Sequence, residues 1–169
     1  MEAREAILGR RSVRKFTEEK VPEELIAQLL EAGYNAPSAC NRKPLKFFVI
    51  TNEQTLSALN KSGKFTNMPS PLAIVVAGDL SRALPFGFSQ YWVQDAAAAT
   101  ENILIMAHAL GLGACWNGVY VQDSLVQKIG EILGAEKKVV PFSLIRIGYP
   151  KQTPPPHEGF NEKSVKYIR

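Results

Sequence analysis

A chain of 169 residues, 46% hydrophobic and 21% charged, has the make-up of one domain able to bury roughly 70% of its unfolded surface, which excludes a disordered protein. Its net charge of +4, with an isoelectric point near 9.1, favours an anionic ligand but is spread too evenly for a nucleic-acid-binding signature. Cys40 and Cys115 are too few for a disulfide framework and lack metal-ligand spacing, no apolar run reaches the ~18 residues of a membrane span, and residues 1–14 are too charged for a signal peptide; a reducing, cytoplasmic setting is expected.

Residues 2–8, apolar at Ala3, Ala6 and Ile7, predict a short helix. Directly after it stand Arg10, Arg11, Ser12, Val13 and Arg14. Three planar, permanently charged guanidinium groups and a hydroxyl within five residues suit the dianionic head of a phosphomonoester. A short basic run is otherwise a solvated face or a contact for nucleic acid or acidic lipid. Its position between a helix and Phe16 ties this one to a core. Pro22, Glu23 and Glu24 then open a second helix with an apolar stripe at Leu25, Ile26, Leu29 and Leu30, and Gly33 is expected to stop it.

Residues 35–41 crowd proline, serine and two asparagines into a loop. The β-prone run 47–50 predicts a central strand. Asn52 is placed to cap a helix that turns Leu56 and Leu59 inward and ends near Ser62 and Gly63. Residues 72–77 are continuously apolar between Pro71 and Gly78, the pattern of a strand buried on both faces. A loop over 81–89 leads into the longest helix, 92–110, whose alanine run Ala96–Ala99 allows close packing of another helix, within the subunit or across a dimer axis. Asp95, Glu101 and His108 lie along it without a spacing that suggests catalysis.

Gly111, Leu112 and Gly113 end that helix, residues 114–119 form a short strand or turn, and Gly118 permits a flat ligand to approach the backbone. Cys115, flanked by alanine and tryptophan, has the setting of a small buried hydrophobe rather than a nucleophile. A helix over 124–133 and a strand over 142–147 complete the body, and residues 151–169, opening with Pro154, Pro155 and Pro156, predict an extended arm. Its β-prone end, 165–168, is suited to join a sheet edge of its own chain or of a neighbour.

Taken in order, Arg-Arg-Ser-x-Arg at 10–14, Ala-Pro-Ser-Ala-x-Asn at 36–41, Gly-Leu-Gly-x-Cys-Trp-x-Gly at 111–118 and Arg-Ile-Gly-Tyr-Pro at 146–150 resemble the nitroreductase family of FMN-dependent oxidoreductases over essentially the whole chain. The resemblance implies an α+β fold in which a mainly antiparallel central sheet is wrapped by helices, in a homodimer with exchange of the C-terminal arms. It further implies that residues 1–169 form a single FMN-binding domain. Carried over position by position, Arg10, Arg11, Ser12 and Arg14 would hold the FMN phosphate and ribityl chain. Pro37, Ser38, Ala39 and Asn41 would come from the other subunit, and Trp116, Asn117 and Gly118 would lie along the isoalloxazine. The implied activity is ping-pong hydride transfer from NADH or NADPH through flavin N5 to a nitroaromatic, quinone or related acceptor, with no catalytic side chain and no metal. Each charge-assisted bond to the phosphate is worth roughly 1.5–3 kcal/mol. One departure stands out: where related chains carry Lys-x-Arg in the arm, this one has His157, Glu158 and Gly159. The alternatives are a flavin-binding or sensing module without turnover, and, resting on the arginine run alone, a nucleic-acid binder.

Overall fold

The β-prone and apolar runs become four strands: β1 (Leu45–Ile50), β2 (Leu72–Asp79), β3 (Gly113–Gly118) and β4 (Val139–Gly148). The computed structural model describes residues 1–155 and 159–169. The strands form one sheet in the order β1-β2-β4-β3, with each neighbouring pair antiparallel. Alternation along β2 sends Leu72, Ile74 and Val76 to one face and Ala73 and Val75 to the other, and all five are fully buried. The expectation of a strand covered on both sides is met by helices on both sides.

On one face lie α2 (Glu23–Tyr34) and α4 (Tyr91–Ala109), contributing Leu29, Ala96, Ala99, Ile103 and Ala107 to the larger core. On the other lie α3 (Glu53–Asn60) and α5 (Asp123–Leu133), with Leu56, Leu59, Leu125 and Ile129. The N-terminal α1 (Ala3–Gly9) packs against α4. Asn52 caps α3 as its sequence position suggests, its Oδ1 accepting from the Thr55 N–H at 3.0 Å. No helix among the described residues is long and apolar enough to cross a membrane.

Several expectations need correction. The run 47–50 belongs to an edge strand, not a central one: among the described residues β1 pairs only with β2, and most of its residues are half-buried or exposed. Gly33 does not stop α2 but lies inside it. A Cβ there would come within 2.9 Å of Ile103 and 3.0 Å of Phe47, so glycine serves close helix packing. Gly113 begins β3 rather than ending a helix. Of the two sheet edges expected for the end of the arm, 165–168, that of its own chain is not used: the segment forms no strand there, and Tyr167 and Ile168 are 75% and 91% exposed.

The β2–β4 register slips once, since Val76 faces Ser143 while Ala77 faces Pro141. The unpaired residue is Phe142. Released from the ladder, its ring packs 6.1 Å from Trp92 and 5.7 Å from Trp116. Its carbonyl accepts from the Val119 and Tyr120 N–H groups at 3.2 and 3.0 Å, which fixes the chain where it leaves β3.

A basic run beside a free strand edge

The basic run is stitched into the body along its length. Ser12 forms a bridge with Ala114 of β3, and the Val13 N–H donates to the Ala114 carbonyl at 2.9 Å. Phe16 bridges to Pro150, the Thr17 N–H donates to Tyr149, and the Lys151 N–H donates to Lys15. Residues 12–17 therefore run between β3 and the exit of β4.

The three guanidinium groups are not equivalent. Arg11 turns back on the end of α1, its Nη1 donating to the carbonyls of Leu8, Gly9 and Arg10 at 2.8, 2.8 and 2.9 Å, while its Nε donates to Pro155 at 3.0 Å. This satisfies carbonyls that a helix C-terminus leaves open. Arg10 places Nε 3.1 Å from the Glu101 carboxylate on α4, an ion pair without hydrogen-bond alignment, so that buried N–H has no acceptor among the described residues. Arg14 is exposed and makes one long bond, from Nη1 to the Ser12 carbonyl at 3.3 Å. Arg10 and Arg14 are thus the two groups with donors to spare.

Beyond Ala114, the outer edge of β3 is open. In an antiparallel strand, residues alternate between pointing both backbone groups at the partner and pointing both away. Ala114 points outward to Val13, so Trp116 and Gly118 do too. Their N–H groups make no backbone bond outside the sheet among the described residues. Gly118 is exposed, and a Cβ built on it meets nothing within 4 Å.

The side chains of 116–118 part company. The half-buried Trp116 ring lies toward α4, packed on Phe142, whereas Asn117 points through the opposite face and donates from Nδ2 to the Phe65 carbonyl at 2.9 Å. Its buried Oδ1 has no partner among the described residues. What this strand offers to a flat ligand is its backbone edge, not three side chains.

Next to Asn117 is a residue to which the sequence reading gave no role. Arg146, on β4, is fully buried, faces Cys115 across the ladder, and donates from Nη2 to the Thr66 carbonyl at 3.0 Å; its Nε and Nη1 have no partner among the described residues. Burial pushes its pKa down to about 10. Together Asn117 and Arg146 hold successive carbonyls of the 62–68 turn, which the Ser62 and Thr66 hydroxyls also knit together. The signal was present: a charge in the apolar run 142–147 breaks the pattern of a buried strand. Cys115 is buried as expected. Desolvation raises its thiol pKa, opposed by Arg14 and Arg10, a mark of how near those two cations lie to β3.

The nitroreductase family model matches residues 7–67 and 64–149. The chain belongs to the nitroreductase family. A protein of Methanothermobacter thermautotrophicus, provisionally named NADH dehydrogenase/NAD(P)H nitroreductase, is 40% identical over 98% of this chain and 86% of its own. Among solved structures, one of the same provisional name from Parabacteroides distasonis superposes with a TM-score of 0.92 at 32% identity, covering 98% of this chain and 96% of the other. A nitroreductase-type protein of Desulfovibrio desulfuricans, solved in complex with FMN, superposes with a TM-score of 0.85 at 27% identity, covering 100% and 98%.

The remaining residues that the nitroreductase resemblance singled out, Pro37, Ser38, Ala39 and Asn41, form a separate station. The Ala39 N–H donates to the buried Asp95 carboxylate at 2.9 Å, and the Lys43 N–H donates to the Ser38 hydroxyl at 2.9 Å. Cys40, Asn41 and Lys43 all take left-handed backbone angles, with φ of 51°, 52° and 45°. Each costs on the order of 1–3 kcal/mol. Such strain persists only where surroundings enforce it, and Asp95, read from sequence without a role, is one of the groups that enforce it here. Among the described residues no hydrogen bond or ion pair joins this loop to 10–14 or to 116–118. The arm positions His157 and Glu158 lie outside the described residues, and Gly159 is exposed.

Proposed function

We propose that this nitroreductase-family protein is an FMN-dependent oxidoreductase using NADH or NADPH. The observation that carries the reading is the bridge from Ser12 to Ala114, which sets a cationic run against a free strand edge. Arg10, Ser12 and Arg14 fit the FMN phosphate, which carries about −1.5 to −2 charges. Arg11, tied to carbonyls, supports the turn instead. The Trp116 and Gly118 N–H groups fit the hydrogen-bond acceptors along one edge of an isoalloxazine, and the space where Gly118 lacks a side chain lets the ring approach. When bound there, FMN supplies hydride transfer at N5 from the nicotinamide donor to a nitroaromatic, quinone or related acceptor in a ping-pong cycle. The protein holds the phosphate, presents donors to the ring and supplies positive charge near it. The name of the Methanothermobacter relative and the FMN complex of the Desulfovibrio protein both support the assignment.

The same reading makes the protein a homodimer. Among the described residues the 37–41 loop makes no hydrogen bond or ion pair with either of the other site segments, which leaves it free to serve a partner's site. Large apolar side chains remain exposed at Ile7, Leu8, Tyr34, Phe86, Phe88 and Tyr91. A groove of about 1060 Å³ runs beside the open β1 edge, lined by Val21, Ile26, Leu30, Val49 and Thr51, and suits an extended arm from a second copy. The whole chain is then one flavin-binding domain with 151–169 as its exchanged arm. Exposed Cys40 is compatible with a reducing, cytoplasmic setting.

The test is a spectrum of the purified protein, FMN reconstitution, and NAD(P)H oxidation with menadione or a nitroaromatic. A yellow protein with steady turnover is expected. A colourless protein that takes up no FMN refutes the assignment, and a yellow one without turnover is a flavin-binding module.

A further inference from the structure

A second cavity opens at the end of β3. It is a cleft of about 350 Å³ lined by Ser62, Lys64 and Phe65 on one side, Gly118 at its base, and Ser124 and Lys128 of α5 on the other. That volume lies at the small end of the roughly 300–1,000 Å³ typical of ligand sites. No carboxylate among the described residues lines it, while both cationic side chains that do are exposed. Lys128 Nζ donates to the Lys61 carbonyl at 3.2 Å, and Lys64 Nζ stands 5.8 Å from the Phe65 ring centroid. The Phe65 ring itself is 74% exposed.

Two local features prepare the cleft for an anion. The N-cap of α5 is Gln122, whose side chain makes no capping bond. The Gln122 carbonyl accepts from Leu125 and Val126, and the Ser124 N–H finds no partner among the described residues. The turn between β3 and α5 also holds Val121 at φ 73°, a costly conformation for a β-branched residue. The turn-side bonds from Val119 and Tyr120 to Phe142 keep it there.

From this arrangement we infer that the cleft holds the phosphate-bearing end of the nicotinamide dinucleotide. Lys64 and Lys128 neutralise the phosphates, the Ser124 hydroxyl and N–H donate to them, and the Phe65 ring offers a stacking surface for the adenine. The assignment rests on the proposed FMN function, since Gly118 joins the cleft to the strand edge where the flavin would lie. The chemistry of one dinucleotide spans that step: only a ribose separates the nicotinamide from its pyrophosphate. A nucleic-acid chain fits poorly, because the cleft is of single-nucleotide scale and has two cations rather than a continuous basic track.

The test compares wild type with Lys64→Ala/Lys128→Ala, both FMN-loaded. Steady-state oxidation is measured with NADH, NADPH and 1-benzyl-1,4-dihydronicotinamide, a hydride donor without phosphates. Calorimetric titrations with ADP-ribose and with 2′,5′-ADP give a readout independent of turnover. KM for NADH or NADPH is expected to rise about tenfold or more, a change of roughly 1.4 kcal/mol, and the affinity for at least one of the two adenosine ligands to fall in step. The benzyl donor and FMN content should stay unchanged. Equal loss for both dinucleotides assigns the lysines to the pyrophosphate, and a larger loss for NADPH assigns them to the 2′-phosphate. Unchanged KM for both dinucleotides, or an equal rise with the benzyl donor, overturns the inference while leaving the FMN function standing. A wild-type protein that oxidises no donor at all sinks the function and the cleft's role with it.

Discussion

Gly118→Ala separates the fold from the ligand it is proposed to hold. The backbone at 118 does not need a left-handed angle, and the new methyl group meets nothing within 4 Å, so stability should stay within about 0.5 kcal/mol of wild type. In the FMN-bound protein that same methyl would occupy space between the strand edge and the ring. Affinity for FMN should fall by about tenfold or more, roughly 1.4 kcal/mol. Gly78→Ala is the contrasting change. Its Cβ would press into the Trp92 ring, lying 2.7 Å from Cζ3, and that ring is held edge-on against Tyr120 and Phe142 at centroid separations of 4.8 and 6.1 Å. With no room for Trp92 to swing aside, overpacking should cost about 1–3 kcal/mol. Urea unfolding measures stability, and quenching of flavin fluorescence measures binding. Wild-type FMN affinity in Gly118→Ala, or a loss of stability there matching that of Gly78→Ala, would refute the reasoning.

Arg10→Ala and Arg14→Ala should each weaken FMN at least tenfold, about 1.4 kcal/mol, with the fold intact. Arg11→Ala should leave affinity closer to wild type while loosening the end of α1, seen as faster amide exchange over residues 3–9. A stability experiment at high pH addresses Arg146. Its folded-state pKa, near 10, lies below the ordinary arginine value, so above pH 10 the unfolded state binds more protons and stability rises with pH. Relative to Arg146→Met, the wild type should gain up to about 1.4 kcal/mol per pH unit in that window, and parallel curves would show that the buried cation is not desolvated. Finally, a thiol reagent should label Cys115 slowly in the native protein and promptly on unfolding, since Cys115 is buried and its thiol pKa is raised. Labelling at equal rates in the two states would contradict that difference.

Local sequence determined much of this molecule. The Asn52 cap, the apolar faces of α2 and α5, the strand at 72–77 and the buried character of Cys115 follow from side-chain chemistry within a few residues, and the structure reproduces them. The ordered motifs also marked the nitroreductase family. Tertiary structure alone decided which strands lie at the edges, because pairing order depends on contacts between segments far apart in sequence. It also decided that Arg11 serves the end of α1 while Arg10 and Arg14 keep donors free, since three arginines in a row look alike until carbonyls and carboxylates are placed around them. The roles of Asp95, Arg146 and Lys128 emerge only when Ala39, Thr66 and Lys64 are brought beside them, and no local pattern encodes that proximity.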